Sequence, residues 1–405
     1  MPPTHVLDGI KVLDFTQFLA GPTASRVLAE LGAEVVKIEW GPAGDFSRNF
    51  PHIQEGRGAF YVQHNRGKKS VCMDLRKPEA IELLKRLLPE MDVLIENYSP
   101  GVIGRLGLGW DVVHALNPRL IMCSMSAFGQ QGELSGRPGY DQVAQAFSGF
   151  TSLVGDPDGP PSIVAMSIGD VGTGMNAACA INAALFHRER TGRGQYLDVS
   201  LLDTYHNFND SPMEMVSGSK GAYKPWRTGS HHHLICPTGF FKSAEGYVCL
   251  LAVTPAQWAG LCHAMGRAEW VDAPGFRDNA ERLQNLDTVV GAIEGWMQSL
   301  PSDDAVCKAL EEHRVPYAPV LTIQQAMEHP HGWGQKMVRN IADPVLGELT
   351  IPGPPFRFSE FPDGVEVQAP LLGQHNLDVL GRYCGLSAQD VARLEADGIL
   401  ASARR

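Results

Sequence analysis

The 405-residue chain has no Cys-x-x-Cys pair: its eight cysteines, Cys72, Cys123, Cys179, Cys236, Cys249, Cys262, Cys307 and Cys384, are scattered. A disulfide scaffold or a zinc knuckle needs regular spacings, so these read as reduced thiols of a cytoplasmic protein. The first residues, MPPTHVLDGIKVLDF, lack a basic region followed by an apolar signal core. No apolar run approaches the roughly 18 residues of a membrane span. Positive charge is also in short supply. The net charge of −11 argues against nucleic-acid and anionic-membrane partners, while leaving room for a local basic pocket.

Several motifs are missing, and each absence removes a chemistry. The turn after the first apolar strand, TQFLAGP, carries one glycine where a GxGxxG fingerprint would carry three, and no GxxxxGK followed by Ser or Thr occurs. Nicotinamide and nucleoside-triphosphate use therefore have no support. Without GxSxG, a serine nucleophile elbow is not expected. HExxH, paired-cysteine and EF-hand patterns are absent too, and the adjacent His231, His232 and His233 point to different sides of any regular element. No metal is expected.

What is present is an alternation of strands and helices. Apolar runs at 10–16, 34–40, 70–75, 93–97 and 120–124 are separated by helical stretches at 22–31, 78–88 and 111–116. Runs such as VVKI and LIMC fit strands buried on both faces, which predicts an α/β fold with a mostly parallel, Rossmann-like sheet. At this length two domains are expected. The division read from composition is a large domain 1–216, a Gly/Ser/Lys/Pro-rich linker 217–230, a small α+β domain 231–325, a returning linker 326–360 and C-terminal helices 361–405 that dock on the first domain. The small domain carries an apparent hairpin at 239–253 and helices at 255–265, 280–299 and 303–313.

One stretch, GDVGTGMNAACAINAALFHRERTGRGQYLDVSLLD at 169–203, places Asp170 among glycines at the start of a long helix. Two roles fit. An aspartate there can be a plain N-cap, satisfying unpaired amides. Equally, it can be a carboxylate kept ionised by the helix dipole and glycine amides, poised as a nucleophile. Upstream, the cluster HNRGKKS at 64–70 flanks a strand end, where phosphate groups bind in open α/β sheets.

Taken together, LDGIKVLDFTQFLAGP (7–22), LGAEVVKIE (31–39), NRGKKSVCMDL (65–75), ENYSPGVIGRLG (96–107), NPRLIMCSMSAFG (117–129), GYDQVAQAFSG (139–149), GDVGTGMNA (169–177), TGRGQYLDVSLLD (191–203) and APLLGQHN (369–376) resemble the family III CoA-transferases. That group includes formyl-CoA transferase, carnitine CoA-transferase and α-methylacyl-CoA racemase. The resemblance implies a ring-shaped chain in an interlocked homodimer, with coenzyme A entering as acyl-CoA and carboxylic acids as partners. It implies that Asp170 is the nucleophile, passing through an aspartyl anhydride and an aspartyl-CoA thioester. It assigns Gln17, Tyr140 and His232 to the substrate and Arg66, Lys68, Lys69, Asn97 and Arg105 to CoA, with Arg76 as a further candidate. Trp40 stands where formyl-CoA transferase is basic, and is expected to stack on adenine. The racemases carry a His in a Gly-His-Asp motif; here the matching residues are Gly139-Tyr140-Asp141, and a phenol is a poor α-proton shuttle. Transfer is therefore favoured over racemisation, with a non-catalytic acyl-CoA-binding protein as the third reading. No GGGGQ-like run marks a dedicated formyl/oxalate enzyme. A short dicarboxylate is the expected acceptor.

Overall fold

The computed structural model describes residues 5–361, 364–365 and 367–403. Its central sheet contains β1 (Lys11–Asp14), β2 (Glu34–Trp40), β3 (Lys68–Met73), β4 (Val93–Glu96), β5 (Ile121–Ser126) and β6 (Tyr196–Ser200). The order across the sheet is β3-β2-β1-β4-β5-β6, with every neighbouring pair parallel. Register is tight at the centre, where Val12 faces Val35 on one side and Val93 on the other. Apolar side chains of these strands are buried on both faces, as helix-covered parallel sheets require. The strand order reverses between β1 and β4, and in doubly wound sheets the ligand crevice opens at the carboxyl ends of such a pair.

Four helices frame that crevice: α1 (Ala20–Glu30), α2 (Asp141–Phe147), α3 (Ile168–Thr191) and α4 (Leu201–Phe208). Close approach of α1 and α3 depends on Gly174, where an added Cβ would lie 2.7 Å from both the Ala20 carbonyl oxygen and the Thr23 Cβ. Helix α3 ends at Gly192, whose φ of 73° is the left-handed geometry a helix C-terminus favours.

The chain forms two compact units. The first comprises the residues up to Ser148, Ala165–Met213 and the chain from Pro330 onward; the second comprises Gly149–Val164 and Glu214–His329. This differs from the boundaries read off composition in two ways. Gly149–Val164 leaves the large unit, because its contacts are with the second: Arg227 donates to the carbonyls of Asp156 and Gly159. Much of 326–360 is not a free linker. Val338–Asp343 and Gly347–Pro352 pair as a hairpin whose Ile341 and Ile351 cluster with Tyr61 and Val62 of the first unit. The C-terminal helices Asn376–Cys384 and Ala388–Ala396 join the core that holds Leu83, Leu84 and Leu87.

In the second unit, Thr238–Lys242 and Tyr247–Leu251 form the hairpin, with Tyr317–Pro319 as a third antiparallel strand. Trp258, Ile293 and Val306, from three separate helices, pack with Phe241 and Val248 of that sheet. The sequence pattern predicts one helix over 280–299; the structure has two, Asn279–Gln284 and Leu286–Ser299, divided at Asn285. Among the described residues no helix is long and apolar enough to cross a membrane.

Candidate active site

The switch point is closed by side chains from the loops after β1 and β4. Asn97 Oδ1 accepts from the Gln17 amide at 2.7 Å, and Asn97 Nδ2 donates to the Gln17 carbonyl at 2.9 Å. Next to Gln17, Phe18 sits at φ 64°, left-handed backbone that costs a bulky residue free energy. The strain is held from below. Asp45 Oδ1 accepts from the Phe18 amide at 3.2 Å, and the buried Lys37 ammonium bridges the Thr16 carbonyl and Asp45, the latter at 2.8 Å. Phe18 stacks on Phe46 at 5.6 Å and meets the Tyr140 ring edge-on at 6.0 Å.

Gln17, Phe18, Asn97 and Tyr140 line a cavity of about 710 Å³ together with Tyr98, Asp141, Thr173 and Asp170. Asp170 is not the N-cap of α3, as one reading of the sequence had it; Ser167 is, and Asp170 lies in the first turn. Nor do its surroundings favour the ionised form. No group among the described residues donates a hydrogen bond to it, and burial, followed by the nearby Asp141 charge, pushes its carboxyl up to about 7. The neighbouring Gly169 amide, which the dipole argument would aim at Asp170, donates instead to the Tyr205 hydroxyl at 3.0 Å. Tyr205 in turn donates to Asp141 Oδ1. A side chain at 169 has no room, since an added Cβ would lie 2.3 Å from the Tyr205 ring and 2.4 Å from Asp141 Oδ1.

The structure brings Gln17, Asn97, Tyr140 and Asp170 to one cavity. Tyr140 is 66% exposed beside it. Trp40, at the carboxyl end of β2, packs edge-on against the cavity residue Tyr98 at 6.4 Å. Arg105 ends the short helix Val102–Arg105 beyond β4 and is exposed. Lys69 is partly exposed and paired with Glu34 and Asp378, while Arg76 is exposed and paired with Asp74. His232 lies in the second unit, where its Nδ1 accepts from the Leu234 amide at 3.1 Å and its ring stacks on His233.

Arg66 and Lys68 require a correction. Both are buried. Arg66 grips Glu30 through two nitrogens at 2.9 and 2.7 Å, and Glu30 also receives Arg26 and Arg339. Lys68 reaches Asp14 at 3.0 Å and Asn65 Oδ1 at 2.9 Å. Their charges neutralise buried carboxylates, so neither presents a cation to a phosphate. Asp141, Tyr205 and Gln145 went unassigned as site residues; only Asp141, inside Gly139-Tyr140-Asp141, carried a sequence signal.

A strained loop and a buried carboxyl meet at the reversal of a parallel sheet, the place where α/β enzymes bind their ligands. The chain belongs to CoA-transferase family III, whose model matches residues 7–376. The protein is a CoA-transferase, as are the relatives it resembles over nearly its full length. It is 33% identical over 402 residues to the succinyl-CoA–D-citramalate CoA-transferase of Chloroflexus aurantiacus, covering 98% of this chain and 99% of that one. To the succinyl-CoA:glutarate CoA-transferase of Homo sapiens it is 32% identical, covering 97% and 90%. A crystal structure of a CAIB/BAIF family protein from Brucella suis superposes with a TM-score of 0.83 at 31% identity, covering 94% of this chain and 99% of that one.

Proposed function

We propose that this transferase moves coenzyme A from an acyl-CoA donor to a short-chain dicarboxylate, with Asp170 as the covalent carrier. The Asp170 carboxylate attacks the thioester carbonyl, the C–S bond breaks, and CoA leaves as thiolate from an aspartyl anhydride. The thiolate then attacks the aspartyl carbonyl, releasing the donor acid and leaving an aspartyl-CoA thioester. An acceptor carboxylate repeats the two steps in reverse, regenerating Asp170. One activated acyl group is exchanged for another of similar energy, so no nucleotide is consumed.

The observation that carries this reading is the site of Asp170: a carboxyl at the switch point with no hydrogen-bond donor among the described residues and raised proton affinity. Such a carboxylate, once ionised, is poorly solvated and correspondingly reactive. Gln17 and Tyr140 line the same cavity and are assigned to the acyl group. Asn97, Arg105, Lys69 and Trp40 are assigned to CoA; His232 is assigned to the acyl end on the family resemblance alone, as are the interlocked homodimer and a cytoplasmic setting. The succinyl-CoA relatives support a dicarboxylate acceptor.

With succinyl-CoA as donor, kcat/KM for short dicarboxylates is expected to exceed that for monocarboxylates of equal length by about tenfold or more, about 1.4 kcal/mol. A preference for the monocarboxylates would refute the acceptor class. In D2O, α-deuterium in recovered acyl-CoA without CoA transfer would point to racemisation instead. Because Asp170 must lose its proton before attack, kcat/KM should fall with decreasing pH below about 7.

A further inference from the structure

We propose that Tyr205 is a positioning residue of the transfer reaction, fixing the Asp141 carboxylate against Asp170 and anchoring the first turn of α3 from which Asp170 projects. The inference rests on the reading of Asp170 as the covalent carrier. A phenol has one proton to give and two lone pairs to receive. The Gly169 amide can only donate, and it does so to the Tyr205 oxygen at 3.0 Å. Gln145 Nε2 donates to the same oxygen, also at 3.0 Å. Both lone pairs are then used, and the phenol proton goes to Asp141 Oδ1. That bond fixes the Asp141 side chain in place.

The consequence reaches Asp170 through two routes. Asp141 is 2% exposed, and its second oxygen has no hydrogen-bond partner among the described residues. Asp141 also belongs to the wall of the cavity that Asp170 lines. A negative charge is thus held beside the reacting carboxyl without being neutralised. The second route is the backbone. Gly169 adjoins Asp170, and its amide is one of those a helix start leaves unpaired. By accepting it, Tyr205 fixes the turn from which Asp170 projects. The titratable groups that line the cavity beside Asp170 are Asp141 from α2, Tyr98 and Tyr140, with Tyr205 from α4 bonded to Asp141. Tyr205 lies 64 residues from Asp141 in the chain, so only the fold unites them.

The test is a direct titration of Asp170 in the full-length protein. Aspartate labelled with 13C at the side-chain carboxyl is incorporated, and the Asp170 resonance is assigned by its absence from Asp170→Asn. Tyr205→Phe and Asp141→Asn are both expected to lower the Asp170 midpoint by about one pH unit, the scale of a like charge nearby. In Tyr205→Phe the acid limb of kcat/KM for succinyl-CoA should move down in step, with kcat reduced about tenfold or more and KM for succinyl-CoA little changed. A folded Tyr205→Phe protein whose Asp170 titrates as in the wild type overturns the proposal. Should Tyr205→Phe fail to fold, Gln145→Leu is read in its place; a smaller shift in the same direction supports the proposal and none overturns it. The outcomes are separable from the carrier reading. If Asp170→Asn retains transfer activity, the carrier role fails whatever the titrations show.

Discussion

Asp170→Asn is expected to abolish CoA transfer and, at the same time, to stabilise the protein above neutral pH. Loss of a covalent nucleophile typically costs on the order of 10⁴-fold or more in turnover. The stability effect has the opposite sign because the native site disfavours the charge. Burial and the Asp141 charge raise the Asp170 carboxyl from 3.8 to about 7, so the folded state prefers the protonated form. Its contribution is fully present below about pH 4, erodes as pH rises between the two values, and is lost above 7. An amide carries no such penalty. Linkage sets a limit of about 4 kcal/mol at pH 8, and partial solvent access reduces the expected gain to about 2 kcal/mol. Urea unfolding should therefore show Asp170→Asn more stable than wild type at pH 8 and nearly equal at pH 4. Glu96, buried beneath Tyr98, is also raised to about 7 by burial but is unchanged between the two proteins, so it cancels. Equal stability at both pH values would contradict the account of the site.

Lys68→Ala is expected to act on stability, with no direct effect on CoA contacts. Burial works against ionised Asp14, yet Lys68, Lys37 and the hydroxyls of Thr16 and Ser25 hold its carboxyl at about 2. Burial and Lys37 draw the Lys68 ammonium down to about 8, so both partners are charged at pH 7. Removing the ammonium leaves Asp14 buried with Lys37 as its remaining cation. Truncating one member of a buried pair costs about 3–5 kcal/mol, and the lower figure is expected here because Lys37 remains. The urea midpoint should fall accordingly, while KM for succinyl-CoA in the folded fraction changes less than about threefold. A large rise in KM with unchanged stability would return Lys68 to the CoA site.

The same two residues show where a sequence stops being readable. HNRGKKS looks like a phosphate-binding cluster because four basic side chains sit together against an acidic background. What it hides is that Glu30 and Asp14 arrive from 36 and 54 positions earlier to neutralise Arg66 and Lys68. Charge partnership across a sheet has no local signature. The strands did: β2, β4 and β5 are short apolar runs bounded by helices, and a parallel sheet follows from that pattern. Strand β6 is half polar, YLDVS, and its strand character comes from pairing with β5. Asp170 was legible as a distinctive residue, since few aspartates sit among glycines before a small-residue helix. Its raised proton affinity was not, because that depends on burial by the folded chain and on Asp141, which only the fold brings alongside. Likewise, the transfer of Gly149–Val164 to the second unit depends on contacts to Arg227, far along the chain.

The central claim is that the oxygen of one side chain is covalently exchanged during turnover. Intact mass spectrometry of the protein, acid-quenched within seconds of mixing with succinyl-CoA, tests it most directly. The account predicts a species heavier by one CoA less one water, absent from Asp170→Asn. Turnover in the wild type with no such species, or the same species in the variant, would contradict it.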